Sequence, residues 1–325
     1  MPTNSLKLSC VVLFFALASL VAIAQPAPEI RGALPESLMA LPADGSIKTR
    51  WVQPPNPELA ETVRQNSPAR GGPEFTFSVD ASGNPWIGVD GRRLLCPAKG
   101  FRATLSEPWQ TFVHLDQGAL LLATVRHLGF PALDSQAKSD KDGWPVVAFQ
   151  PITPLPNYYS RLYKGANDCL YLVSGHATTV KSTLYLLQPE TATTGTATGK
   201  TVVSRYKKLI ETEEPITAVA GDGATTVIAF GRLVVALDAM AGPIFPWPTQ
   251  PDGEVRELAF LRNVGVFYTT ANSVGYLGTK RGFRLLQTPS PMISLAKNSL
   301  YVFFPKNYGV MALDNISDLR TSDLP

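Results

Sequence analysis

Residues 255–288 read VRELAFLRNVGVFYTTANSVGYLGTKRGFRLLQT, and the fold follows from this stretch. It divides into four short apolar runs, VRELAFL, GVFYTTA, SVGYLGT and FRLLQT, which start at Val255, Gly265, Ser273 and Phe283. Each has the length of a strand and is rich in β-branched and aromatic residues, and no helical-period segment separates them. Four such runs joined by tight connections predict one antiparallel four-stranded sheet.

The unit recurs along the chain. Aligned on its first strand it starts at Phe75, Thr111, Tyr158, Ile216, Val255 and Met292, with spacings of 36, 47, 58, 39 and 37 residues. Propeller blades repeat about every 40–50 residues. The two long spacings carry insertions at 134–143 and 190–200. The first hairpins turn through Ala81-Ser82-Gly83-Asn84, Asp116-Gln117-Gly118 and Gly221-Asp222-Gly223. Short hairpin turns need positive φ, which Gly and Asn supply at little cost.

Unit 6 offers PMISLA, SLYVFFP and YGVMALD, and then runs into polar residues without a fourth strand. Far upstream, residues 47–52 (IKTRWV) form an isolated strand-like island in a Pro-rich segment. A propeller closes when one terminus completes the other's blade, which also removes an exposed sheet edge. The expected fold is therefore all-β, a single β-propeller of six four-stranded blades closed by residues 47–52. A pair of β-sandwiches or an open repeat array is the rival, and the regular four-strand units favour the propeller. The expected divisions are a signal peptide at 1–24, a Pro-rich leader at 25–72 holding the closing strand, and the propeller at 73–325.

Residues 80–88, DASGNPWIG, resemble the D-x-x-G-N-x-W-x-G motif of the two-component-regulator type of propeller repeat. The resemblance implies a turn between the first two strands of a blade, with the Trp filling space between blades. It covers nine residues, occurs once, and carries no catalytic residue.

The N-terminus predicts export. Lys7 precedes an apolar run over residues 8–23, and Ala22-Ile23-Ala24 presents small residues where a signal peptidase cuts. Those 24 residues hold one Lys and no acid, so the remainder carries 28 basic against 26 acidic residues. So balanced and scattered a charge excludes a nucleic-acid surface. No later segment is apolar enough to span a membrane once the signal is cleaved. Cys96 and Cys169 fall in blades 1 and 3, too far apart to bridge, and are expected as free thiols.

Chemistry is sparse. His114, His127 and His176 are the only histidines, and no H-E-x-x-H, paired-Cys or G-x-S-x-G pattern occurs. Residues 195–201, GTATGKT, fall one residue short of a phosphate loop and lie in a low-complexity tract. Only Glu74 and Glu254 stand at comparable starts of first strands, too few to predict a channel metal. The sequence thus assigns no catalytic residue, cofactor or metal. It points to a non-enzymatic module that binds another protein or a small ligand in the bacterial envelope or outside the cell. The alternatives are a channel-centred enzyme of lactonase or glycan-hydrolase type and an extracytoplasmic sensing domain. Connections on one face bring Arg92, Trp109, Arg126, His127, Tyr158, His176, Lys306 and Tyr308 forward as the candidate binding face, since Trp, Tyr and Arg dominate binding hot spots. The insertions lie on the opposite face.

Overall fold

Strands form wherever branched and aromatic residues run between turn formers. The computed structural model describes residues 47–65, 67, 74–116, 118–132, 138–158, 160–175, 181–190, 202–238, 242 and 244–319. The expected signal peptide, the leader up to residue 46, His176 and residues 191–200 lie outside the described residues.

The chain enters through β1 (Lys48–Gln53) and α1 (Pro57–Gln65). A first set of strands follows, β2 (Phe75–Val79), β3 (Pro85–Val89), β4 (Arg93–Cys96) and β5 (Phe101–Leu105). The second is β6 (Trp109–His114), β7 (Leu120–Thr124), β8 (His127–Ala132) and β9 (Val146–Pro154). The third is β10 (Ser160–Lys164), β11 (Leu170–Ser174), β12 (Ser182–Glu190) and β13 (Val202–Thr212). The fourth is β14 (Ala218–Gly221), β15 (Thr225–Phe230), β16 (Leu233–Asp238) and β17 (Ile244–Pro246). The fifth is β18 (Glu257–Leu261), β19 (Gly265–Thr269), β20 (Ser273–Leu277) and β21 (Gly282–Gln287). Last come β22 (Met292–Ala296), β23 (Ser299–Phe304) and β24 (Gly309–Asp314), and β1 pairs antiparallel on β24 to complete that sheet in the order β1-β24-β23-β22.

These sets form a ring. The innermost strands touch in the order β2, β6, β10, β14, β18, β22 and back to β2. Six apolar clusters fill the six junctions between neighbouring sets. A sheet packed on both faces must be apolar on both, so its strands read as continuous rather than alternating runs. All five residues of β19 are buried, as are all five of β20. Phe267, Tyr276 and Phe303 are among the largest fully buried side chains, each contributing about 1.5–3 kcal/mol on burial.

The closing strand binds by more than its ladder. Arg50 Nε donates to Asp314 Oδ2 at 2.7 Å, Gln53 Nε2 donates to the Tyr308 carbonyl at 2.8 Å, and Trp51 packs on Phe304 with ring centroids 5.7 Å apart. The helix that follows was not expected in a Pro-rich leader. Its start is locally encoded: the Leu59 amide donates to Asn56 Oδ1 at 2.9 Å, Pro57 stands at the first helical position, and Glu58 faces the positive end of the dipole. Val63 is buried, and Leu59 and Ala60 pack on the same apolar cluster between the first and last sets.

The motif at residues 80–88 behaves as its chemistry requires. Asp80 Oδ1 accepts from the Ser82 and Asn84 amides, each at 2.9 Å, and Gly83 holds φ +86°. At Gly88 a β-carbon would stand 2.1 Å from the Trp109 ring of the next set, so only glycine lets the two sheets approach. Residues 138–143 of the first insertion form a turn. Asp140 Oδ1 accepts from the Asp142 and Trp144 amides at 2.9 Å, with Gly143 at φ +75°, repeating the Asp80 turn. The turn clamps onto the first set: Thr104 Oγ1 donates to Asp140 Oδ2 at 2.6 Å, Arg93 pairs with Asp142, and the Arg93 and Arg102 guanidiniums lie 5.2 and 5.9 Å from the Trp144 ring centroid. There β5 and β9 pair in parallel at Thr104↔Val146 and Leu105↔Val147, joining two sets into one eight-stranded sheet. Cys96 is buried, Cys169 half-buried, and both are free.

Candidate functional site

An innermost strand has one edge in its own sheet and one facing the axis of the ring, where its amides lack ladder partners. Side chains from the neighbouring set fill that need. The Val79 amide donates to Ser294 Oγ at 3.2 Å, the His114 amide to Ser78 Oγ at 3.1 Å, and the Leu162 amide to Thr111 Oγ1 at 2.9 Å. The Ile293 amide donates to Glu257 Oε2 at 2.6 Å. Three of these acceptors are hydroxyls and the fourth is a carboxylate.

What remains along the axis is a channel of about 1160 Å³ lined by residues of all six innermost strands. Pro57, Ala60, Glu61 and Arg64 of α1 line it too, with Pro305 and Lys306 from the β23–β24 turn. The helix is pinned there because the Asn56 amide donates to the Asn307 carbonyl at 2.7 Å. Lys164, Asn167 and Lys297 line the end where the innermost strands finish. Lys164 Nζ sits 2.5 Å from Asp116 Oδ1 and 3.6 Å from Asp168 Oδ1.

Glu257 is the electrostatic oddity. Loss of solvent raises its pKa from the usual 4.5 to about 7, against the opposing pull of the Ile293 amide and the positive charges of Arg161 and Arg256. Arg161 also acts on the Tyr163 hydroxyl, whose pKa burial raises and which donates to the Thr217 carbonyl at 3.2 Å. Arg161, Tyr163, Arg256 and Glu257 all line the channel.

The expected binding face divides. Trp109 and Tyr308 are corrected: Trp109 is 4% exposed and packs on Phe112 between the first two sets, and Tyr308 is fully buried against Phe75 and Phe303. Aromatic side chains at the ends of strands serve the junctions first. Arg126 and Tyr158 are brought together, with the guanidinium 5.8 Å from the centroid of a ring that is 59% exposed. His127 is half-buried and Arg92 exposed. Of the set, Lys306 lines the channel. Glu74 and Glu254 are exposed and stay out of the channel lining; the first-strand carboxylate that reaches it is Glu257. That residue stood in plain view in VRELAFL, but which residue of a first strand faces the axis depends on the register of the ring. His114 is buried, packs at a tilt against Trp86 with ring centroids 4.6 Å apart, and has no hydrogen-bond partner on either ring nitrogen among the described residues. Burial lowers its pKa to about 4, so it packs as a neutral ring. Among the described residues no three His, Cys, Asp or Glu side chains converge as a metal site, and no helix is long and apolar enough to cross a membrane.

No family model and no curated protein matches the chain. Solved structures do resemble it. A gluconolactonase from Xanthomonas campestris is similar at 11% identity and TM-score 0.49, over 81% of this chain and 94% of that one. A calcium-binding regucalcin from Agrobacterium tumefaciens is similar at 16% identity and TM-score 0.47, over 74% and 89%. The extracellular domain of a protein assigned as a hybrid two-component system in B. thetaiotaomicron is similar at 11% identity and TM-score 0.46, and the match spans 82% of this chain but 39% of that one. The propeller architecture itself rests on the strand pairing and the ring of innermost strands described above.

Proposed function

We propose that the chain is an exported, non-enzymatic binding module whose central channel receives a small ligand. The channel carries this reading: about 1160 Å³ of space is bounded by rigid strands and lined by several charged side chains, on the scale of sites that enclose small molecules. Export rests on the apolar run at residues 8–23 and the small residues after it. Binding is favoured over metal-assisted hydrolysis by the state of the lining carboxylates. Among the described residues that line the channel, Glu61 is paired with Arg64 and Asp116 with Lys164, which leaves Glu257 without a second free carboxylate to share an ion. A protein partner is the second reading, supported by the exposed Arg126–Tyr158 pair.

The test is native mass spectrometry of protein purified after expression of the full chain, titrated with panels of small neutral, anionic and cationic metabolites. A saturable one-to-one adduct is expected, lost when Ala60→Trp or Ala166→Trp fills the two ends of the channel. An adduct that survives both substitutions would mean that the ligand sits elsewhere.

A further inference from the structure

Resting on that channel reading, we infer that the ligand is a small organic anion, held through its oxyanion by Arg161 and Arg256 beside the Glu257 carboxyl. The charge balance of the channel points to it. Its cationic lining residues are Arg64, Arg161, Lys164, Arg256, Lys297 and Lys306, against Glu61, Asp116 and Glu257. Arg64 and Lys164 are spent on Glu61 and Asp116. Among the described residues, Arg161, Arg256, Lys297 and Lys306 therefore share a single remaining carboxylate. Guanidinium groups suit the planar or tetrahedral oxygens of carboxylates and phosphate or sulfate esters, because their paired N–H groups match that geometry.

Glu257 deepens the inference. At three other junctions a hydroxyl closes the same strand edge, so the carboxyl at this one is not required for the ring. Its Oε2 is taken by the Ile293 amide of β22, and it feels Arg161 from β10 and Arg256 from the segment entering β18, with Tyr163 of β10 also within electrostatic reach. An anion entering between these groups meets a carboxyl already close to neutrality at pH 7. Protonated, Glu257 no longer repels the anion and can donate a hydrogen bond to it. Binding then takes up a proton and weakens as pH rises.

Isothermal titration with four probes tests this. Tartrate represents carboxylates and methyl sulfate tetrahedral esters, both of constant charge between about pH 5.5 and 8.5, while erythritol and putrescine are the neutral and cationic controls. One or both anions should bind at least about tenfold more tightly than either control, and Arg161→Gln or Arg256→Gln should each cost about tenfold or more. Anion affinity should fall by up to about tenfold per pH unit above 7 in the native protein, and stay flat in Glu257→Gln, which keeps an acceptor for the Ile293 amide. Melting curves of each variant check that the ring is intact. Tighter binding of erythritol or putrescine, or anion binding indifferent to both arginines, overturns the anion assignment while leaving a channel ligand in place. Failure of every probe here and of the broader panel above overturns the channel reading as well.

Discussion

At position 257 a serine or threonine would satisfy the Ile293 amide, as Ser294, Ser78 and Thr111 satisfy their counterparts around the ring. A carboxylate there has a cost that a hydroxyl lacks, because burial denies its ionised form the solvent that would stabilise it. Its pKa rises from 4.5 to about 7 on folding, so the folded chain holds a proton that the unfolded chain releases. The stability this lends is present in full below pH 4.5 and is lost as pH rises through 7. Glu257→Gln should accordingly match the native protein at pH 4.5 and melt higher than it at pH 8. Thermal unfolding at the two values checks this, and equal melting at both would mean that Glu257 is well solvated. The residue scale is also where the sequence was hardest to read. Trp109 and Tyr308 carry the composition of a hot spot, yet both are buried. An aromatic ring in a binding surface and one in a blade junction look alike until the packing is known.

Turns were far more legible. The Asp, Gly and Asn of residues 80–84 predict a tight hairpin, and the Asp80 carboxylate organises it. That side chain is 4% exposed; burial would push its pKa up, but the Lys99 ammonium at 2.7 Å, Asn84 and the Trp86 indole outweigh burial and hold it far below the usual carboxylate range. The same Asp turn at residues 140–144 went unrecognised because it lies inside a segment that interrupts the repeat. Helix α1 was missed for a similar reason: the prolines flanking it dominate the composition, whereas the capping Asn56 and the Leu59-Ala60-Val63 face are local. For the turn, Asp80→Ala removes the buried member of a pair whose Lys99 is about half exposed, and leaves two turn amides without an acceptor. A loss of about 1–3 kcal/mol is expected, measured by urea unfolding. A loss below about 1 kcal/mol, the level of an exposed ion pair, would show that Lys99 and the amides find water instead.

The whole molecule depends on edges. Five of its sets draw all four strands from one continuous stretch of chain, so their neighbours in sequence are neighbours in space. The last set does not, and its outer strand comes from residues more than 250 positions away, since Arg50 meets Asp314 across a separation of 264. The strand-like length and composition of residues 47–52 and the missing fourth strand of unit 6 together were enough to expect that pairing. β13 is the outermost strand of its sheet and carries Arg205, Lys207 and Lys208 exposed along it, which discourages pairing with another chain. The edge of β24 has no such guard, because β1 covers it: Gly309 to Leu313 are all buried. Deleting residues 25–53 would uncover that edge, remove Trp51 from Phe304, strip Ile47 from the core between the fifth and last sets, and release the Gln53 bond to Tyr308. The melting temperature should fall by about 10 °C or more, since a chain of this size loses about 2–4 °C per kcal/mol. The truncated protein should also self-associate through the opened edge, visible as a concentration-dependent sedimentation coefficient. Truncated protein that stays monomeric and melts with the native chain would mean that the ring holds closed through its junctions alone, with β1 as an ornament on its rim.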